Sequence, residues 1–126
     1  MAAEGWRQLW SYTAEATLPA QYEIVEKGTG NNQVTQAGAD AGFGVCVNAP
    51  AAAGDPVDVV VFGITKVKAG AAIATGVRFT SDSAGRAVAA NALNEEIVGV
   101  TLTGAANANE LVTVVVCGVG LHGGAT

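Results

Sequence analysis

The sequence predicts an all-β protein: a small sandwich or barrel built from two tandem repeats of ~55 residues, with a short N-terminal arm. Three observations carry this. The stretch VDVVVFG (57–63) returns as VTVVVCG (112–118), 55 positions later. The same offset, held without a gap, lays 14–64 over 69–119 with 13 identities in 51 positions. The chain also holds 25 Ala and 18 Val against seven aromatic residues, so its core is expected to be thin and built from small side chains packed at close approach.

Taken in order, residues 1–13 form the arm, 14–68 the first repeat, and 69–126 the second repeat with a Gly-rich tail. In the arm, Trp6, Leu9 and Trp10 are spaced i, i+3, i+4, which places them on one face of a helical turn. Such a stripe suits either an anchor in a partner's groove or a lid over the core of its own chain. YEIVEKGTGNNQV reads as a hairpin turning at Gly28 and Gly30. VRFTSDSAGRAVAA reads as its counterpart, with Ser and Asp closing local bonds and Gly85 supplying a φ > 0 position. FGVCV and IVGVTL are short strands, each joined by a small-residue loop to a longer Val-rich strand. Those loops end on Asp55 and Glu110. In the first long strand Val57, Val59 and Val61 face one side, Asp58, Val60 and Phe62 the other. This makes about four strands per repeat. The Ala-rich 87–96 segment suggests a helical turn, and Glu95–Glu96 a solvated one.

Composition narrows the function. Charged residues are 13% of the chain, well under the roughly 25% usual for a soluble domain, so much of the surface is expected to face protein. The net charge is −5 and the six basic residues are scattered, which argues against direct nucleic-acid binding. No apolar run reaches the ~20 residues that span a bilayer, and the N-terminus lacks a secretory pattern. His122 sits among glycines, with no acid placed to orient it. No catalytic, metal-binding or cofactor-binding set can be assembled, so an enzyme is not expected. Cys46 and Cys117 occupy non-equivalent places in the repeats and read as small buried thiols. The candidate partner-binding residues are Trp6, Leu9, Trp10 and Tyr12, with Lys66 and Lys68 sharing one face of an extended segment.

The run AGAAIATGVRFTSDSAGRAVAA, then IVGVTL, a small-residue loop and ELVTVVVCG resembles the small capsid decoration (cement) proteins of tailed bacteriophages. The matching positions are 69–73, 76–77, 82–85, 86–90, 99–100 and 111–118. The first repeat follows more loosely over 14–30 and 43–63. ATG at 74–76 replaces the usual AG step, and WRQLW has no counterpart. The resemblance implies a structural virion protein, made in the host cytoplasm and bound to the outside of the capsid. There it bridges capsomers and stabilises the DNA-filled head. Its implied partners are the major capsid protein and further copies of itself, a trimer favoured over a dimer. A tail, baseplate or fibre module, or a carbohydrate-binding β module on a particle surface, are the alternatives.

Overall fold

The computed structural model describes residues 7–91 and 94–121, with the backbone alone for 118–121. The described residues form nine strands and no helix: β1 (Arg7–Ala14), β2 (Ile24–Lys27), β3 (Gln33–Gln36), β4 (Gly44–Cys46), β5 (Pro56–Lys68), β6 (Arg78–Ser81), β7 (Ala87–Ala89), β8 (Glu96–Thr101) and β9 (Leu111–Leu121). All nine join one sheet in the order β1-β3-β2-β4-β5-β9-β8-β6-β7, and a further β1–β5 pairing closes the first five into a ring. The later strands turn back to β5 too, through the parallel bridge Ala69↔Ala87 just past its end. The architecture is thus neither a two-sheet sandwich nor one barrel. It is a single sheet curled twice, with β5 common to both curls.

β5 serves both because it is long. Its first part pairs with β1 and β4, and its second part, from Gly63 to Lys68, pairs with β9. The expected alternation holds through Val61, with Val57 and Val59 fully buried. Val60, on the opposite face, is also fully buried, because the second ring packs over that face. Val61 is an extra residue against β1, where the register jumps from Gln8↔Phe62 to Leu9↔Val60. Such a bulge sharpens the bend of a strand.

The pairing scheme recurs along the chain. Tyr12↔Val57 and Val67↔Val112 differ by 55 positions in both partners, as do Cys46↔Val59 and Thr101↔Val114. Val25↔Gln36 and Phe79↔Ala89 differ by 54 and 53. The ungapped register therefore slips by one residue before β2 and one more in the hairpin. Left-handed backbone positions recur at the same spacings: Tyr22 with Gly76, Asn32 with Gly85, Asp40 with Asn94, and Gly54 with Asn109. Gly85 does adopt φ +76, but its counterpart is Asn32, not Gly30. Asn tolerates this region better than most residues with a Cβ.

Two side-chain clusters fill the rings. The first holds Ala14, Val25, Val34, Cys46, Val57 and Val59. Their positional counterparts Ala69, Phe79, Ala87, Val112 and Val114 lie in the second, and Thr101, matching Cys46, is buried beside them. Phe79 with Ala87 replaces Val25 with Val34, one large and one small residue for two of middle size, which keeps the filled volume similar. Ile24, Val45 and Val60 of the first ring join the second cluster.

Three expectations give way. Residues 7–14 form a strand, not a helical turn. The 87–96 segment is β7 followed by a loop, with residues 92–93 outside the described residues. Glu95 is not solvated: it is 8% exposed and accepts the Asn91 N–H at 2.7 Å, because this loop folds back over the ring junction.

Candidate docking surface

Three of the large apolar side chains exposed among the described residues lie where β1 runs along β5, the others being Ile64, Leu102 and Leu111. Leu9 is 45% exposed, Trp10 57% and Phe62 46%. On a helix Leu9 and Trp10 would share a face; on a strand they point to opposite sides. Leu9 lies opposite Val60, on the outer face, and Trp10 opposite Val59, on the side that lines the first ring. Tyr12 continues the Trp10 side and meets Phe43 edge to face, with ring centroids 5.7 Å apart. Tyr12 thus closes its own core while Trp10 stays open. Trp6 lies outside the described residues.

The two lysines part company. Lys66 is exposed, whereas the Lys68 ammonium reaches Glu23 Oε2 at 3.3 Å. Glu23 is 8% exposed, and its Oε1 accepts from Ala20 N–H and from Gln36 Nε2, both at 2.9 Å. Sequence reasoning missed Glu23. Its signal is faint: an acid in an otherwise apolar run, 45 residues from its lysine. This cluster joins the rings, together with backbone bonds from Lys68 N–H to Tyr22 C=O and from Ile24 N–H to Gly85 C=O.

Residues 38–42 complete the junction. Asp40 N–H donates to Ser81 C=O, Glu96 N–H donates to Asp40 C=O, and Gly42 N–H donates to Glu96 Oε1. They border an open cleft of about 580 Å³ lined by Glu26, Lys27, Asp40, Phe43, Asn94 and Glu96 among others. A hydrogen bond that the protonated Asp40 carboxyl donates to Glu95, with slight desolvation and the repulsion of the Glu95 charge, raises Asp40 above its usual range. Among the described residues, no group of three His, Cys, Asp or Glu could hold a metal ion. His122 lies outside the described residues. No helix among them is long and apolar enough to cross a membrane.

The two long loops are closed alike. Asp55 Oδ2 accepts from Ala51 and Ala52 N–H, and Glu110 Oε1 from Ala106 and Asn107 N–H. These bonds hold the Glu110 carboxyl below its usual range. In the β6–β7 turn, Asp82 accepts from Ala84 and Arg86 N–H and pairs with the Arg86 guanidinium at 3.0 Å. Both cysteines are free, Cys46 buried and Cys117 half-buried. Burial pushes the Cys46 thiol up to about 11, and its Sγ lies 2.9 Å from Asn48 C=O. At neutral pH it is a protonated core thiol.

Among the described residues, the surfaces open to a partner thus include exposed apolar side chains on the sheet and the charged cleft beside Phe43. The solved structure of the head fiber gp8.5 N base in bacteriophage phi29 has the same fold, with a TM-score of 0.71. The match covers 91% of this chain and 99% of that one at 23% identity. No curated protein matches the sequence. The family model for phage cement proteins matches residues 12–118, nearly the whole of the nine-stranded sheet, and the chain belongs to that family.

Proposed function

We propose that this cement protein binds the outer surface of a phage head, contacts the major capsid protein, and bridges neighbouring capsomers as a homo-oligomer, a trimer before a dimer. The observation that carries the reading is the exposed apolar display of Leu9, Trp10 and Phe62 on the β1–β5 ribbon of a family member. Burying a large apolar side chain is worth roughly 1.5–3 kcal/mol. A few such contacts per molecule, repeated over many copies on a lattice, stabilise the shell by binding only its assembled form. The role is mechanical and asks for no catalytic group. The two rings are read as duplicated units, one opening with β1 and the other with the second part of β5, supported by the recurrent pairing.

Trp10 is the docking residue to test; Lys66, an exposed cation, lies further along β5, beyond the part that pairs with β1. DNA-filled heads should carry the protein at high copy number, and Trp10→Ala should lower its occupancy while leaving the melting temperature of the free protein within a few degrees. Unchanged occupancy with a lowered melting temperature would show that Trp10 covers its own core. The likeness to a head-fibre base favours a second reading, in which the chain is the base of a longer projection on the head. Labelling intact particles separates a dispersed coat from isolated projections.

A further inference from the structure

Two cross-strand rows occupy the same position in the two rings. In the first, Ile24 pairs with Val45, Val45 with Val60, and Val60 with Leu9. In the second, Arg78 pairs with Val100, Val100 with Val115, and Val115 with Ile64. The step is 54 from Ile24 to Arg78 and 55 for the other three. Ile24, Val45 and Val60 have no exposed surface and belong to the core of the second ring. Their counterparts do not share that fate: Val100 and Val115 are only half-buried and Arg78 is exposed.

The surface that the first row covers also has a counterpart that the described residues leave open. Thr65, Val67, Val98 and Val116, at the covered end of the second ring, are between 0% and 5% exposed. The residues 55 positions earlier are Trp10, Tyr12, Phe43 and Val61. Trp10 is 57% exposed and the other three are half-buried. Each molecule thus carries one used and one unused copy of both sides of a single contact.

We propose that a second copy of this chain fills the vacancy: the Arg78–Val100–Val115–Ile64 row of one molecule packs on the Trp10–Tyr12–Phe43–Val61 end of the next. The contact repeats between molecules what the rings already make within one. This deepens the homo-oligomer reading above and rests on it. The residues that differ between the two versions differ in a matched way. A Cβ on Gly42 would meet both Ile24 Cγ2 and Val98 Cγ2, so Ile24 lies beside Val98. Its equivalent, Arg78, is carried to Phe43, whose cleft is lined by Glu26, Asp40 and Glu96 against one cation, Lys27. A guanidinium meeting aromatic faces and carboxylates is a favourable pairing. The interface is head-to-tail, so it closes into a ring of copies if the rotation allows and cannot be a face-to-face dimer.

Mixing two variants tests this. A Val100→Glu, Val115→Glu chain loses the row, and a Trp10→Glu chain loses the end. Each alone should sediment as a folded monomer where the unaltered chain is oligomeric. Their equimolar mixture should form a one-to-one dimer, because one intact row and one intact end remain. A row variant that stays oligomeric, a mixture that stays monomeric although both variants are folded, or an unaltered chain that is monomeric would overturn the proposal. If the double variant fails to fold, Arg78→Glu replaces it, with at least tenfold weaker association expected and unchanged association overturning the contact. A chain lacking residues 1–6 should keep its association; association that appears only on that deletion would mean those residues cover the end instead. Binding to heads is scored separately. An oligomer formed through another face that still coats heads sinks this contact and leaves the head-binding reading standing.

Discussion

The first ring closes its free end with its own aromatics, Tyr12 against Phe43. The second uses small aliphatic residues at the same places, Val67 and Val98, and is sealed from outside by Ile24, Val45 and Val60. One backbone scheme therefore tolerates two packing solutions. In the second ring the cover comes from the same chain, and in the first an aromatic pair stands at that end. A ring that expects a neighbour can be lined with small valines, whereas one whose neighbour is absent from its own chain needs bulk to keep water from the core. The outer rows follow the same logic: apolar where covered, and headed by an arginine where open.

Exchanging the heads of the two rows should break this comparison most visibly. Ile24→Arg buries a charge in the second core and should cost about 4–5 kcal/mol or more, enough to abolish cooperative unfolding. Arg78→Ile should leave the melting temperature of the monomer nearly unchanged. A folded Ile24→Arg protein would show that the junction is not buried.

The glycines at the close approaches come next. A Cβ at Gly99 would lie 2.0 Å from Val115 C=O, and one at its counterpart Gly44 would lie 2.5 Å from Val59 Cγ1 and 2.8 Å from Val60 C=O. Gly99→Ala should destabilise by roughly 3 kcal/mol, and Gly44→Ala somewhat less, since its approach to the backbone oxygen is less close. Denaturant midpoints of the two variants would give the order.

A smaller effect is expected at the junction. Glu23→Ala strands the Ala20 N–H and removes the partner of Lys68, at about 2 kcal/mol. Hydrogen exchange of the Lys68 and Ile24 amides should quicken with it. No change in their exchange would detach the cluster from ring docking.

Smallest are the titrations, which run in opposite directions. The raised Asp40 carboxyl favours folding when protonated, so its contribution is full below its unfolded value of 3.8 and is lost as pH rises through the raised one. Asp40→Asn, which copies the Asn94 of the second ring, should slightly raise the melting temperature at neutral pH, and the gain should shrink in acid. Glu110 behaves inversely: its contribution is present above 4.5 and lost as pH falls through its lowered value. Glu110→Gln should therefore lower the neutral melting temperature slightly, with the difference fading in acid.

Much of the fold was legible because alternation and turn chemistry are local. VDVVVFGI and ELVTVVVCG announce β5 and β9, Asp82 and Gly85 announce a turn, and Asp55 and Glu110 mark equivalent loop ends. β1 was not legible as a strand, since Trp6, Leu9 and Trp10 satisfy a helical spacing. Its partner lies about fifty residues away, from Pro56 to Gly63, where no local preference points. The slip to spacings of 54 and 53 was hidden by Ala and Gly pairs, which match in almost any register. Of the proposed contact residues, Trp10, Leu9 and Tyr12 were visible as partner-binding candidates. The half-buried Val100–Val115 pair was not, and neither was Glu23 at the junction, because their surroundings are set by how two rings meet.

The sharing of β5 also imposes an order on folding. Once residue 63 has left the ribosome, the first ring has all of its strands and can close. The second part of β5 must then wait for β9, whose pairing begins at Leu111. During that interval it presents an unpaired strand edge bearing Thr65 and Val67, the kind of template on which nascent chains pair wrongly. Lys66 lies between those two residues and is exposed, and a lysine at an open strand edge disfavours pairing with another chain.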